Sequence, residues 1–404
     1  MKKIIYADHS ATTPVNEEVL KEMLPYFCNK YGNPSSTYSI GINSKEAIEK
    51  ARKQVATAIG ASRNEIYFTA GGSESDNMII KGIAKANKER GKHIITTKIE
   101  HLAVLNTCRK LEEEGFEVTY LDVNESGIVS IDELKRNIRH DTILISIMFA
   151  NNEIGTIEPI EEIGKVAKET GVIFHTDAVQ AIGNMKINVK ELNIDALSLS
   201  AHKFYGPKGI GAAYIKKNIK FDSFIHGGHQ EYSKRAGTEN VPGIVGLGKA
   251  IELATDNIAE HTEKIVDLRD TLITNIEKEI KDVRLNGDRI QRLCSNVNFS
   301  IKGLDSESLV LMLDMYGICA SSGSACNSGI LAPSHVLKAI GLDNDLATSA
   351  VRFTLGYNNT VEDIQIITSS LKEIIDKLRK YSNKENLKCN CNKSKKSVEK
   401  KYFL

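Results

Sequence analysis

Short apolar runs alternate with longer amphipathic segments along the first half of the chain. Segments of helical length with charged faces, such as residues 44–60 and 161–171, stand between the runs. Alternation of strands and helices on this scale predicts an α/β domain with a mainly parallel sheet, whose ligands bind at the carboxyl ends of the strands. The seven predicted strands are residues 66–70, 93–99, 117–123, 142–150, 171–178, 196–203 and 211–217.

The pattern changes after a long helical stretch at residues 241–280, which we predict to bridge two units. The second unit is predicted to be α+β, with strands at 295–303 and 350–357 and helices at 305–317 and 360–381. We expect a large α/β domain at 16–262, a small α+β domain formed by 1–15 with 263–381, and a flexible tail at 382–404. The tail is rich in lysine and asparagine, and little in it could form a core.

The composition argues against several classes of protein. The 404-residue chain has a formal net charge of +1, whereas a protein that binds nucleic acid directly usually carries a basic excess. No run approaches the roughly 18 apolar residues of a membrane span, and residues 1–14 lack the apolar core of a signal peptide. Seven irregularly spaced cysteines do not suggest a disulfide framework. We therefore expect a cytoplasmic protein without a membrane partner, in which any special cysteine is reactive.

One lysine, Lys203, stands at the end of a predicted strand and is enclosed by His202, Phe204 and Tyr205. A lysine amine that is partly desolvated has a lowered pKa and can form a Schiff base with a carbonyl. An isolated lysine in a turn rich in glycine and proline is more often a surface residue. The choice between these interpretations depends on four other segments.

A carboxylate and an amide stand at the end of the predicted strand at 171–178. Asp177 follows the apolar residues of that strand, and Gln180 comes three residues after Asp177. A pyridoxal phosphate site needs a carboxylate at such a position to keep the ring nitrogen protonated, and Gln180 could donate to the phenolic oxygen of the ring. Alternatively, Asp177 is a helix N-cap.

A glycine-rich turn and a histidine follow two other predicted strands. Gly71-Gly72-Ser73 leads from a strand into a helix, where free backbone N–H groups bind phosphate well. It matches neither the Walker pattern nor the dinucleotide pattern, and a turn capped by Ser73 is the simpler alternative. His101 could stack on a cofactor ring and move protons, although a lone loop histidine is more often a surface residue.

Cys326 lies in the segment ICASSGSACNSGI, among serines, glycines and alanines. Such a segment has little to pack, so we expect it to be flexible and able to carry a thiol to a substrate. An incidental cysteine would usually have apolar neighbours, which this one lacks. Together the five segments supply a phosphate cradle, a partner for a ring nitrogen, a stacking ring, a Schiff-base lysine and a mobile thiol.

In this order and spacing, the motifs closely resemble the pyridoxal-phosphate-dependent cysteine desulfurases of iron–sulfur cluster assembly, within the class V aminotransferase group. The resemblance covers about residues 4–380 and implies the PLP-dependent transferase fold, which is aspartate aminotransferase-like and called fold type I. The motifs are YADHSATTP, YGNPSS, TAGGSESDN, EH, NNEIG, HTDAVQ, SLSAHKFYGPKGIG, RAGTEN, SSGSAC and VRFTLG.

The resemblance implies a role for each matching residue. Lys203 bonds the cofactor and later takes the α-proton of the substrate, while the Cys326 thiolate attacks the substrate's sulfur and is a candidate iron–sulfur cluster ligand during transfer. His101 stacks on the ring and assists proton transfer. The other implied contacts are Asp177 and Gln180 to the ring, Gly72, Ser73, Ser200 and His202 to the phosphate, Thr238 to the phosphate of the neighbouring subunit, Asn152 to cofactor and substrate, and Arg352 to the substrate carboxylate.

The implied reaction converts L-cysteine to L-alanine and leaves Cys326 as a persulfide. A homodimer follows from the role of Thr238, and the sulfur goes to an iron–sulfur scaffold protein or another acceptor, for cluster assembly or tRNA thiolation. The tail departs from that of the housekeeping bacterial enzymes, and Cys389 and Cys391 are too few for a closed zinc site. Selenocysteine lyase, a simple aminotransferase and a catalytically silent sulfur carrier are the competing functions. A simple aminotransferase needs no mobile thiol, and the presence of Lys203 and Cys326 together argues against a silent carrier or binding scaffold on the same fold.

Overall fold

The computed structural model describes residues 3–322 and 333–399. A seven-stranded sheet in the order β2-β8-β7-β6-β5-β3-β4 lies at the centre of its larger part. All neighbouring strands pair in parallel except at β8, which is antiparallel to both β2 and β7. The strands are β2 (Ile66–Thr69), β3 (His93–Thr97), β4 (Glu117–Leu121), β5 (Thr142–Ser146), β6 (Ile173–Asp177), β7 (Ala196–Ser200) and β8 (Gly211–Ile215). The seven predicted strands and the mainly parallel sheet are thus confirmed.

Helices cover both faces of this sheet. They are α1 (Glu17–Met23), α2 (Pro25–Cys28), α3 (Ser39–Ala58), α4 (Gly72–Ala86), α5 (Leu102–Glu113), α6 (Ile131–Asn137), α7 (Ile160–Thr170) and α9 (Val241–Thr255). The short segment labelled α8 (Gln230–Ser233) is an irregular turn, because Glu231, Tyr232 and Ser233 have positive φ. Side chains along each strand alternate between two cores, because successive residues of a strand point to opposite faces. In β6, Phe174 packs into the core with α3, α7 and α9, whereas Ile173 packs into the core with α4 and α5.

The smaller part contains an antiparallel sheet in the order β12-β13-β10-β9 and a parallel pair, β1 with β11. Its strands are β1 (Ile5–Tyr6), β9 (Val283–Leu285), β10 (Asn296–Ile301), β11 (Ile318–Cys319), β12 (Ser321–Ser322) and β13 (Ala350–Thr354). Its helices are α10 (Ile258–Glu279), α11 (Ser306–Met315), α12 (His335–Ala339), α13 (Asn344–Ala347) and α14 (Val361–Glu399). Ile5 and Ala7 share a core with Phe299 and Phe353. This packing supports our proposal that residues 1–15 belong with the small domain.

The stretch at 241–280 is two helices rather than the single helix that its pattern predicted. The chain leaves the helical conformation at Asp256, and Asn257 has a left-handed backbone with φ of 56°. Asparagine tolerates this conformation better than most residues. The proposed boundary between residues 262 and 263 falls inside α10. The backbone of α14 continues to Glu399, which does not test the predicted flexibility of the tail, so that flexibility stays a prediction.

The topology determines where the chemistry lies. Because β2, β3, β5, β6 and β7 run in the same direction, their carboxyl ends meet at one edge of the sheet. The segments that follow these strands carry most of the residues that the sequence singled out. Among the described residues, no helix combines the length and apolar composition of a membrane span.

Candidate active site

A cavity of about 320 Å³ lies at this edge of the sheet. Its volume is at the lower end of the range for small-molecule pockets, roughly 300–1,000 Å³. It is lined by ten of the residues predicted from sequence: Gly72, Ser73, His101, Asn152, Asp177, Gln180, Ser200, His202, Lys203 and Arg352. Two larger surface clefts, of about 820 and 980 Å³, contain none of them.

Lys203 ends a single 3-10 turn, Ala201–Lys203, that directly follows β7. Its Nζ donates hydrogen bonds to the backbone carbonyl oxygens of Ser10 and Ala11, the second at 2.9 Å. Gln180 Nε2 donates to the same Ser10 oxygen at 3.1 Å. The N-terminal segment therefore closes one side of the cavity and holds the lysine amine there.

Asp177 is the last residue of β6 and is only 7% exposed. One of its carboxylate oxygens, Oδ1, accepts the backbone N–H of Val179 at 2.9 Å. Burial raises the pKa of Asp177, and the neighbouring His101 and Lys203 oppose that rise. A buried carboxylate at a strand end is well placed to bind a cationic group of a ligand.

His101 caps the N-terminus of α5. Its Nδ1 accepts the backbone N–H of Ala103 at 3.1 Å, so a neutral imidazole carries its proton on Nε2. Burial lowers the pKa of His101, Asp177 raises it and Lys203 lowers it further. The lowered pKa favours the neutral ring, which carries its proton on Nε2.

The glycine turn before α4 packs closely against β7 and the segment after β6. A Cβ on Gly72 would lie 2.6 Å from Val179 Cγ2, which is too close for any side chain. The absence of a Cβ leaves the first backbone N–H groups of α4 open toward Ser200 and the cavity. His202 Nδ1 and Thr12 Oγ1 form a hydrogen bond of 3.1 Å, and burial, followed by the charges of Lys203 and Lys208, lowers the pKa of His202 to about 4.

Arg352 lies in β13 of the smaller sheet and reaches the same cavity. Its Nη2 donates to Asp8 Oδ1 at 2.8 Å and its Nη1 to the carbonyl oxygen of Asn152 at 3.0 Å. The residue is 3% exposed, and its Nε–H has no hydrogen-bond partner in the described part of the chain. A guanidinium that lines a cavity can bind a carboxylate there through its Nη donors.

Of the two remaining predicted residues, one does not line the cavity of this chain and the other lies outside the described residues. Thr238 is exposed, in the segment between α8 and α9, so its predicted contact with a neighbouring subunit stays a prediction. Cys326 lies outside the described residues, and so does its predicted role as nucleophile and cluster ligand. Among the residues that the structure does describe, no group of three or more His, Cys, Asp or Glu side chains could hold a metal ion.

Sequence reasoning gave no individual role to several residues that also line the cavity: Ser10, Ala11, Asp76, Met148, Ala150 and Val179. Asp76 is 1% exposed, burial is the main cause that raises its pKa, and its Oδ1 has no hydrogen-bond partner among the described residues. Its position one helical turn after Gly72, among the apolar residues of α4, is the signal that could have identified it.

The comparisons with known proteins agree with this geometry. Residues 5–367 match the family model described as aminotransferase class V. The chain is 59% identical to the cysteine desulfurase IscS of Methanosarcina thermophila over 94% of each chain. It also superposes on a solved NifS-like protein, with a TM-score of 0.88, 38% identity, and coverage of 93% of this chain and all of that one. A solved structure of SspA in complex with cysteine has a TM-score of 0.78 and 40% identity, and covers 88% of this chain and all of the other. The chain therefore belongs to the class V aminotransferase family and, within it, to the cysteine desulfurases.

Proposed function

We propose that the protein uses pyridoxal phosphate to remove sulfur from L-cysteine, releases L-alanine, and passes the sulfur from a persulfide on Cys326 to an acceptor. The observation that carries this proposal is that Lys203, Asp177 and Arg352 line one 320 Å³ cavity. One amine, one carboxylate and one guanidinium there match the carbonyl and ring nitrogen of the cofactor and the carboxylate of an amino acid. A related structure that contains cysteine supports the choice of substrate.

The residues present fit the cofactor. The cradle at Gly72, which has no room for a Cβ, offers backbone N–H groups to a phosphate, with Ser73, Ser200 and His202 beside it. Asp177 would pair with the ring nitrogen, Gln180 would donate to the phenolic oxygen, and Asn152 would contribute a further polar contact. When bound, pyridoxal phosphate supplies an electron sink for the negative charge that develops at the substrate's α-carbon.

Lys203 moves the proton of the α-carbon. Its Nζ, which the carbonyl oxygens of Ser10 and Ala11 hold in the cavity, would bond the carbonyl of pyridoxal phosphate and would give up that position to the substrate's amine. Once released, the amine takes the α-proton at Nζ and can return it to the product. His101 would stack on the ring and offer the proton on Nε2, because its Nδ1 is already an acceptor.

Arg352 and Asn152 bind the substrate and orient its sulfur. The guanidinium takes the α-carboxylate, and the thiolate of Cys326 attacks the substrate's sulfur. The new S–S bond forms as the Cβ–S bond of the substrate breaks, and the β-carbon takes the electron pair of that bond. Protonation of the β-carbon completes the methyl group of L-alanine and leaves the persulfide on Cys326.

A homodimer is part of the proposal. An apolar surface on α1, α2 and the segment that follows is exposed in the single chain, with Leu24 at 55%, Phe27 at 56% and Tyr31 at 69% exposure. Apolar side chains clustered this densely usually mark an interface. A second copy that covers this surface would also give Thr238 a partner site, where it would contact the neighbouring subunit's phosphate.

The acceptor of the sulfur is proposed to be an iron–sulfur scaffold protein or a tRNA-thiolation protein in the cytoplasm, with Cys326 as a transient cluster ligand. No nucleic acid or membrane takes part directly.

The test is product analysis with ³⁵S-labelled L-cysteine. We expect L-alanine and sulfide in equal amounts when a thiol reductant is present, and label on the protein when it is absent. Cys326→Ser should keep the cofactor but lose both products. Formation of a keto acid instead of L-alanine would identify an aminotransferase and contradict the proposal.

A further inference from the structure

Asp8 forms an ion pair with Arg352 at the edge of the cavity, with an Asp8 Oδ1 to Arg352 Nη2 distance of 2.8 Å. The side chains are 16% and 4% exposed, so the pair is largely removed from water. Asp8 itself does not line the cavity. It therefore contacts the group that receives the substrate carboxylate without standing where the substrate would bind.

Hydrogen bonds fix the Asp8 carboxylate from the other side as well. Ser321 Oγ donates to Asp8 Oδ2 at 2.8 Å, so both carboxylate oxygens have a partner. The backbone of the same segment is joined to β13, where the N–H of His9 donates to the carbonyl oxygen of Thr354 and the N–H of Thr354 donates to that of Ala7. The acceptor and the arginine are thus mounted on one rigid unit.

A second anchor holds the other end of the guanidinium. Arg352 Nη1 donates to the carbonyl oxygen of Asn152 at 3.0 Å. The turn after Asn152 is itself held, because Asn296 Nδ2 and Asn298 Nδ2 donate to the carbonyl oxygen of Glu153 at 3.1 and 3.0 Å. Two fixed acceptors, one on each Nη, define the plane of the guanidinium.

Such anchoring matters because an arginine has five N–H donors but loses about 2 kcal/mol of rotamer entropy when it is immobilised. When the side chain is already fixed before the substrate arrives, the free energy of substrate binding does not include that loss of entropy. Each Nη carries a second N–H beyond the one that these anchors use among the described residues, and these two donors remain for a ligand. A substrate carboxylate that lies in the plane of the guanidinium can therefore accept hydrogen bonds from donors that are already oriented.

We propose that Asp8 is a positioning residue of this enzyme, which fixes Arg352 so that the guanidinium selects substrates by their α-carboxylate. The proposal rests on the substrate role of Arg352 given above. Asp8 does not contact the substrate and takes no part in proton or sulfur transfer. Removing it should therefore weaken binding of carboxylate-bearing amines and leave the chemical step almost unchanged.

The experiment compares L-cysteine with cysteamine, which has the same amine and thiol but no carboxylate. Dissociation constants for both come from the change in absorbance of the bound cofactor, and KM and kcat for L-cysteine from L-alanine release. For Asp8→Ala we expect Kd and KM for L-cysteine to rise at least tenfold, kcat to stay within about threefold, and Kd for cysteamine to stay within about threefold. Asp8→Asn, which keeps an oxygen acceptor, should restore most of the affinity for L-cysteine.

Ser321→Ala provides a second test if Asp8→Ala does not fold. It frees one carboxylate oxygen and leaves the ion pair, so a smaller rise in Kd, again for L-cysteine only, is expected. An equal loss of affinity for L-cysteine and cysteamine, or a loss of kcat with unchanged KM, would overturn the proposal. Wild-type protein that neither binds the cofactor nor releases L-alanine would instead contradict the proposed function.

Discussion

Arg52 and Glu231 form a buried ion pair with two hydrogen bonds, Nη1 to Oε2 and Nη2 to Oε1, both at 2.8 Å. Their side chains are 4% and 3% exposed. Glu231 begins three consecutive residues with left-handed backbone, with φ of 46°, 56° and 63° for Glu231, Tyr232 and Ser233. Such residues cost free energy and persist only where contacts hold them. The ion pair thus stabilises the loop that leads to Thr238.

Glu231→Gln should lower the free energy of unfolding by up to about 3–5 kcal/mol, because it removes the buried counter-ion of Arg52 and leaves only the more exposed Glu49 paired with that charge. Urea unfolding of the cofactor-free protein measures the change. Glu161→Gln is the control, since it breaks an exposed ion pair with Lys165 and should cost less than about 1 kcal/mol. Similar losses in the two variants would show that the buried pair has no special role in stability.

The proposed dimer predicts that a charge on the exposed apolar surface separates the subunits. Phe27→Glu should shift the protein from dimer to monomer in sedimentation velocity and weaken binding of pyridoxal phosphate, because Thr238 of the second copy is lost. Leu311→Glu, at another exposed apolar position on α11, is the matched control and should leave the dimer intact. A Phe27→Glu protein that remains dimeric would place the interface elsewhere.

The proposed pairing of Asp177 with the ring nitrogen predicts that its substitution lowers the catalytic rate while the protein still binds the cofactor. Asp177→Asn keeps an oxygen acceptor for the Val179 N–H but removes the charge that stabilises a protonated ring nitrogen. We expect kcat for L-alanine release to fall roughly 10²–10³-fold, as when other preorganised electrostatic contacts are removed, with the cofactor still bound by absorbance. An unchanged kcat would exclude the pairing.

The raised pKa of the buried Glu158 carboxyl predicts that the stability of the protein depends on pH. Its Oε2 accepts the backbone N–H of Val129 at 3.0 Å, and burial raises its pKa from 4.5 to about 8. Between these values the unfolded chain releases a proton that the folded chain retains, so Glu158 lowers stability progressively from about pH 4.5 to pH 8, and the loss is complete above that.

Glu158→Gln should therefore raise the urea midpoint at pH 9 and change it little at pH 5, with a gain on the order of a few kcal/mol at the higher pH. Glu162→Gln, at an exposed position of α7, is the control and should have no such pH-dependent effect. Equal midpoints for wild type and Glu158→Gln at pH 9 would mean that Glu158 is already ionised at little cost in the folded protein.

The local pattern of apolar and polar residues was sufficient to predict the strands of the large sheet and the sheet edge at which the cavity lies. Strands β2 to β8 coincide with apolar runs, and Asp177 and His101 were predicted because they come just after such runs, whereas Ser200 was predicted only from the family resemblance. The reversed direction of β8 was not predicted, since an apolar run does not encode strand direction. The break at Asn257 was also missed, because Asp256 and Asn257 look like part of a polar helix face.

Contacts between segments that are distant in the sequence could not be predicted from local patterns. Asp8 and Arg352 are separated by 344 positions, and nothing local to either residue indicates that they meet. The buried position of Asp76 depends on how α4 packs against β7, and the pairing of Arg52 with Glu231 depends on an unusual backbone. Their partners follow from tertiary packing, which a local pattern does not contain.

The central claim is that the amine of Lys203 bonds the cofactor. Borohydride reduction of the purified protein followed by proteolysis and mass spectrometry locates the bond directly. The account predicts the mass of reduced pyridoxal phosphate on Lys203, and its absence from that peptide in Lys203→Arg protein. A label on Lys208 or another lysine, or no label after incubation with pyridoxal phosphate, would contradict it.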